Sequence, residues 1–143
     1  MALTAVQKAE VRETIGRYCA AYQRKDQKAL LALFSPDING YGAGADEIFR
    51  NRKEYAPLVQ RDLIQASTIS LEFPDLNIAG NGPTARVMGT CICTFGTGGN
   101  KKQVMKVRMT LVLEHTGSRW LIGQIHMSVP NTGQAPGQSF SGE

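Results

Sequence analysis

No stretch of this 143-residue sequence comes near the ~18 consecutive apolar residues of a membrane-spanning helix, so no membrane is expected among its partners. Charge of one sign is also scarce: 16 basic against 12 acidic residues leave only +4. The basic residues gather at Arg24, Lys25 and Lys28 and at Lys101, Lys102, Lys106 and Arg108, without interleaved aromatics. No nucleic acid is therefore expected either. Cysteine is limited to Cys19, Cys91 and Cys93, an odd count that excludes a disulfide scaffold and reads as free thiols. Histidine is limited to His115 and His126, far apart in the chain, and the scattered carboxylates complete no ligand cluster. No metal is expected. The glycines never form a phosphate cradle between a strand and a helix, so no nucleotide and no other cofactor is expected. The opening MALTAVQKAEVRETIGRY has no apolar signal core and carries acidic residues foreign to a transit peptide. The expected compartment is the cytoplasm.

What is present suffices for one domain with its own core. Residues 4–24 place Val11, Ile15, Tyr18, Cys19 and Tyr22 at helical spacing, with Thr4 as the cap. A second short helix follows Asp26, with Leu30, Leu31, Leu33 and Phe34 as its apolar content, and Pro36 stops it. DINGYGAGA at 37–45 reads as an irregular strand or bend. A turn near Asp46–Arg50 and a helix over Lys53–Ala66 come next, with Pro57 opening or kinking that helix.

Beyond Ser67 the pattern changes to four β-rich segments, about 68–79, 84–96, 102–115 and 119–129. GNGP at 80–83, GTGGN at 96–100 and HTGS at 115–118 divide them as hairpin turns. Strict alternation puts Cys91 and Cys93 on the same side of their strand, as small core residues. Helices first and a strand meander second is an α+β order. Both faces of the long strands are apolar, which predicts a partner subunit, a homodimer. The domain is expected over 1–130. Residues 131–143 form an extended tail whose one large apolar residue is Phe140.

Five pieces resemble the SnoaL-like branch of the nuclear-transport-factor-2-like superfamily, the cone-shaped α+β fold shared with ketosteroid isomerase. They are IGRYCAAYQRKDQKALLALFSPD at 15–37, GYGAGADE at 40–47, RDL at 61–63, VRMTLVLEHTGSRW at 107–120, and W-x-I-x-x-x-H-x-S at 120–128. The resemblance implies a curved antiparallel sheet wrapped around the N-terminal helices. It also implies one deep pocket at the wide end of the cone and a dimer through the convex sheet face. It does not name an activity, because the fold hosts isomerases, cyclases, hydrolases, dehydratases and non-catalytic association domains.

By the same resemblance, GRYCAAYQ matches the helix that carries the oxyanion-hole tyrosine of ketosteroid isomerase, which makes Tyr18 a candidate catalytic group. The residues alone leave Tyr18 equally an aromatic of the core stripe. That enzyme's carboxylate base falls here at Gly42, and its neutral acid near Thr110, so steroid isomerisation is not expected. The pocket is expected to offer Tyr18, Tyr22, Phe34, Arg108, Thr110, His126 and Ser128, with Tyr41 and Trp120 as walls. Period-two alternation places Arg108 and Thr110 on one strand face, and Trp120, Ile122, Gln124, His126 and Ser128 together on another. His126 has the intrinsic pKa of a general base, although a structural histidine is the other reading. Ser128 lies about 7 Å along the strand from it, too far for a nucleophilic pair. Arg108 would take a carboxylate from a ligand or from Asp46 or Glu47.

The expected function is binding of a small apolar or weakly acidic organic ligand, with acid–base isomerisation, cyclisation or dehydration. His126 would move the proton while Tyr18 steadied the oxyanion, which requires both in one cavity. The alternative, favoured by Gly42 and Thr110, is a non-catalytic ligand-sensing or association module.

Overall fold

The structure is a computed structural model and describes residues 1–99 and 101–141. Asn100 of the GTGGN turn and the last two residues of the tail lie outside the described residues. Thr4 starts α1 (Ala5–Gln23) with a reciprocal cap. Its hydroxyl accepts from the Gln7 N–H at 3.1 Å, and the Gln7 side chain accepts from the Thr4 N–H at 2.9 Å. The predicted stripe of Val11, Ile15, Tyr18 and Tyr22 is buried. Asp26 caps α2 (Gln27–Ala32), and Asn51 caps α3 (Arg52–Gln65) by accepting from the Glu54 N–H at 2.8 Å. Pro57 neither opens α3 nor faces the core. It lies inside the helix on the exposed side, opposite Tyr55, Val59 and Leu63. Among the described residues, no helix is long and apolar enough to cross a membrane.

Among the described residues, seven strands form one curved sheet: β1 (Phe34–Tyr41), β2 (Ile48–Phe49), β3 (Thr68–Glu72), β4 (Asn77–Asn81), β5 (Thr84–Gly96), β6 (Lys102–Thr116) and β7 (Arg119–Ser128). Their order is β2-β1-β7-β6-β5-β3, with β4 also pairing β5. The architecture is α+β, with the helices on the inner face. The sheet is mixed rather than wholly antiparallel, because β1 runs parallel to β7.

Two segments differ from the sequence expectation. Residues 34–41 form a strand whose register against β7 shifts between Phe34 and Asn39, so Phe34 opens β1 instead of closing a helix. The segment 68–79 is two strands, broken over 73–76 where Pro74 has no N–H for a ladder. β3 pairs with Ile92–Gly96 of β5, and β4 with Thr84–Met88.

β7 carries the irregularity that matters most for function. Val112 pairs with Gln124, yet Leu113 pairs with Ile122, so Gly123 is an extra residue. A bulge of this kind inverts the side-chain alternation beyond it. Trp120 and Ile122 face inward before it, and Ile125 and Met127 face inward after it. Leu111, Leu113, Ile122 and Ile125, all 1% exposed or less, form the core centre with Val11 and Ile15. From Val129 to Ser141 the described residues form only turns and bends, and residues 131–141 are exposed, Phe140 included.

Candidate functional site

Odd-numbered residues of β5 and β6 face the helices, because Cys91 pairs with Val107 and Cys93 with Met105 across the ladder. With Met109 and Met127 they form one wall of a cavity of about 310 Å³. Ile69 and Leu71 of β3 and Phe95 of β5 extend that wall. Tyr18 and Tyr22 of α1 face it, and Ala43 lies on its rim. The cavity is thus largely apolar and rich in sulfur. Its thiols are free and protonated at neutral pH: burial pushes Cys91 up to about 12.

Two carboxyl groups break this apolar lining, Asp62 from α3 and Glu47 from the loop after β1. Asp62 Oδ2 accepts a hydrogen bond from the Tyr22 hydroxyl at 3.2 Å. Burial first, and then the charge of Glu47, raise the Asp62 carboxyl from 3.8 to about 6. The Tyr22 hydrogen bond and the Arg61 charge oppose that rise without cancelling it. Tyr18, Tyr22 and Tyr55 all hold their protons more tightly than a free phenol, chiefly through burial.

The tyrosines are fixed by an aromatic cluster. Tyr18 meets Tyr22 edge-on at 5.1 Å, and Tyr55 stacks on Phe49 at 3.8 Å. The Tyr55 hydroxyl is fully buried and has no partner among the described residues.

Glu47 closes the loop from Gly42 to Ile48. Its side chain accepts from the Gly44 N–H at 3.1 Å, and its backbone carbonyl from the Gly42 N–H at 2.8 Å. A Cβ placed on Gly42 would lie 2.1 Å from Glu47 Oε2. The space that a side chain at 42 would fill therefore holds the Glu47 carboxylate. Arg61 fastens the loop to α3, at 2.6 Å from Asp46 and 3.7 Å from Glu47.

Of the residues expected from sequence, Tyr18 and Tyr22 line this cavity. Phe34 is in the core behind it, between Tyr18 and Tyr55. Trp120 is buried far from it, donating its indole N–H to Glu10 at 3.1 Å. Five other candidates, His126, Ser128, Arg108, Thr110 and Tyr41, are not among the residues that line the cavity. His126 pairs with Thr110, and Ser128 with Arg108, on the outer face of the sheet. His126, Thr110 and Arg108 are exposed there, and Tyr41 lies against His126 with ring centroids 5.5 Å apart. For His126 and Ser128 the physical reason is the extra residue Gly123, which turns the expected inward face of β7 outward after Ile122; Arg108 and Thr110 point outward because Val107, Met109, Leu111 and Leu113 take the inner face of β6. Hence His126 and Tyr18 do not share a cavity. At the position expected for a second acid, Thr110 points outward and its neighbour Met109 points in.

The sequence does not single out Asp62 and Glu47 as pocket groups. The signal for Asp62 is its place on the α3 stripe, three residues after Val59 and seven after Tyr55.

A family model described as a SnoaL-like domain matches residues 11–132. No curated protein matches the chain. Solved structures do share its fold. A candidate dehydratase of the nuclear-transport-factor-2-like family from Streptomyces avermitilis is similar with a TM-score of 0.84 at 16% identity, over 90% of this chain and 100% of that one. A protein of the same fold family and unknown function from Pseudomonas putida KT2440 gives 0.81 at 20% identity, over 99% of each chain. A candidate calcium/calmodulin-dependent protein kinase II association domain from Xanthomonas campestris gives 0.78 at 19%, over 86% of this chain and 87% of that one. At these identities the likeness is one of fold.

Proposed function

Because the chain belongs to the SnoaL-like domain family, we propose that its cavity binds one small, largely apolar organic molecule and transfers a proton on it, with Asp62 as the group that moves the proton. The observation that supports this is the Asp62 carboxyl itself. It faces an apolar cavity, holds its proton up to about pH 6, and accepts from only one phenol. A base tuned toward neutral pH combines the right protonation state with driving force for the transfer. Isomerisation, cyclisation and dehydration all begin with loss of a weakly acidic C–H or O–H proton. Tyr18 is the donor placed to steady the negative charge that then develops, while the Tyr22 hydroxyl is given to Asp62.

The test needs no knowledge of the product. In deuterium oxide, a panel of ketones, phenols and lactones is incubated with the protein, and deuterium uptake is followed by mass spectrometry. Catalysed exchange in one class is expected, and Asp62→Asn should slow it by about 100-fold or more. Saturable binding with no exchange anywhere would discard the proton-transfer reading in favour of a ligand-sensing module.

The same fold leaves the outer face of the sheet apolar in places, and we infer a homodimer through it. Met88 and Val104 are 58% and 62% exposed there, with Ile92 and Val112 half-buried between polar neighbours. A Met88→Glu, Val104→Glu double variant should sediment as a monomer at concentrations where the parent chain is dimeric. A parent that is itself monomeric would end this reading.

A further inference from the structure

We infer that the molecule this cavity receives is a cation: an amine, protonated at neutral pH, on an apolar body, with its ammonium held between Glu47 and Asp62. The inference rests on the cavity being the ligand site proposed above, and it adds the charge of the ligand. Among the described residues, two carboxyl groups line the cavity, and no lysine, arginine or histidine does. The neighbouring cations are already engaged. Arg61 is 2.6 Å from Asp46, and Lys25 bonds the carbonyl of Ala66. Three carboxyl groups, Asp46, Glu47 and Asp62, therefore share the one guanidinium of Arg61.

Asp62 Oδ1 has no hydrogen-bond donor among the described residues, and Oδ2 has only the Tyr22 hydroxyl. An ammonium brings three donors and makes charge-assisted hydrogen bonds, which are about twice as strong as neutral ones. It would also lie close to the rings of Tyr18 and Tyr22, whose faces attract cations. A carboxylate or phosphate in the same place meets like charge from both acids, with no arginine to receive it. The remaining wall, Met105, Met109 and Met127 with Cys91 and Cys93, is polarisable and apolar, and it fits a hydrocarbon body.

Three probes of nearly equal shape isolate the charge: 4-phenylbutylamine, 4-phenylbutanol and 4-phenylbutanoate, titrated calorimetrically at pH 7.5. The amine should bind at least about tenfold more tightly than the alcohol, and the carboxylate more weakly than either. Glu47→Gln keeps the hydrogen bond to the Gly44 N–H in shape. It should shrink the amine's advantage while leaving the alcohol's affinity as it was, so the alcohol reports that the cavity has survived. A smaller advantage for the amine in the parent chain, a carboxylate that binds as well as the alcohol, or no binding by any probe would overturn the inference. The exchange experiment separates it from the proposed chemistry. Asp62-dependent exchange without amine preference defeats the charge assignment alone. Amine preference without exchange defeats the proton-transfer reading alone.

Discussion

Asp62→Asn should make the protein more stable at neutral pH while it removes the proposed proton transfer. Folding raises the Asp62 carboxyl from 3.8 to about 6, mainly by taking it out of water. Between those two values the folded chain binds more protons than the unfolded chain, so stability falls as pH rises through that window. Above about pH 6 the folded state bears the whole cost of a charged, poorly solvated carboxylate. Below about pH 4 it bears none. The full displacement corresponds to about 3 kcal/mol, and the partial solvent exposure of Asp62 reduces this to about 1–2 kcal/mol.

Asparagine is nearly the same shape, carries no charge, and can still accept from the Tyr22 hydroxyl. Urea unfolding at pH 7.5 should therefore place the variant above the parent, and at pH 4 the two should converge. Exchange catalysis by the parent should rise with pH through about 6, the same transition seen from the side of activity. A variant less stable than the parent at pH 7.5 would mean that Asp62 gains more from Tyr22 and Arg61 than it loses by burial. A group that destabilises its own fold yet sits in the cavity is what a functional constraint on α3 would produce.

The elements that were legible in the sequence are those whose pattern is local. α1 showed its cap at Thr4 and its stripe through Tyr18 and Tyr22 within nineteen residues. β5 and β6 alternate over thirteen and fifteen residues, long enough to assign Cys91 and Cys93 to one inward face. The site was harder because its groups meet across the chain. Tyr22 and Asp62 are forty positions apart, and although Asp62 lies on the α3 stripe, nothing local tells its carboxyl from the other charges of that helix. Glu47 reached the expectation only as a partner for Arg108, whereas it fills the space beside Gly42.

The displacement of His126 has a different origin. Apart from Gly123, LIGQIHMS reads as an ordinary strand, and the one added residue at Gly123 changes every assignment after it. Gly123 is also tightly placed: a Cβ there would lie 2.7 Å from a Glu114 carboxylate oxygen. A glycine inside a strand is the mark of a bulge, and that was the available clue.

Gly40→Ala should be a strongly damaging substitution in β1, the strand that leads into the Glu47 loop. Gly40 has φ +156°, and a Cβ built there would lie 1.8 Å from the Ile125 carbonyl oxygen. That atom is backbone in the centre of β7, so it cannot rotate away as a side-chain end can. Gly40 pairs with Ile125 on one side and with Phe49 on the other, which makes it the point where β1 joins β7 and β2. Separating these strands should lower stability by about 3 kcal/mol, the upper end of the usual cost of overpacking. Gly82→Ala is the matching control. Its φ is +61°, but nothing lies within 4 Å of the added methyl, so only the backbone preference, about 1 kcal/mol, should be lost.

The functional consequence should exceed the loss of stability. One residue after Gly40 the chain leaves β1 for the loop that carries Ala43 to the cavity rim and Glu47 into it. A Gly40→Ala chain that still folds should therefore lose affinity for the amine probe more than for the alcohol, because Glu47 is displaced while the sulfur wall of β5 and β6 is untouched. Parent-like stability in urea would mean that β1 does not lie against Ile125, and the parallel pairing that positions the loop would then be wrong.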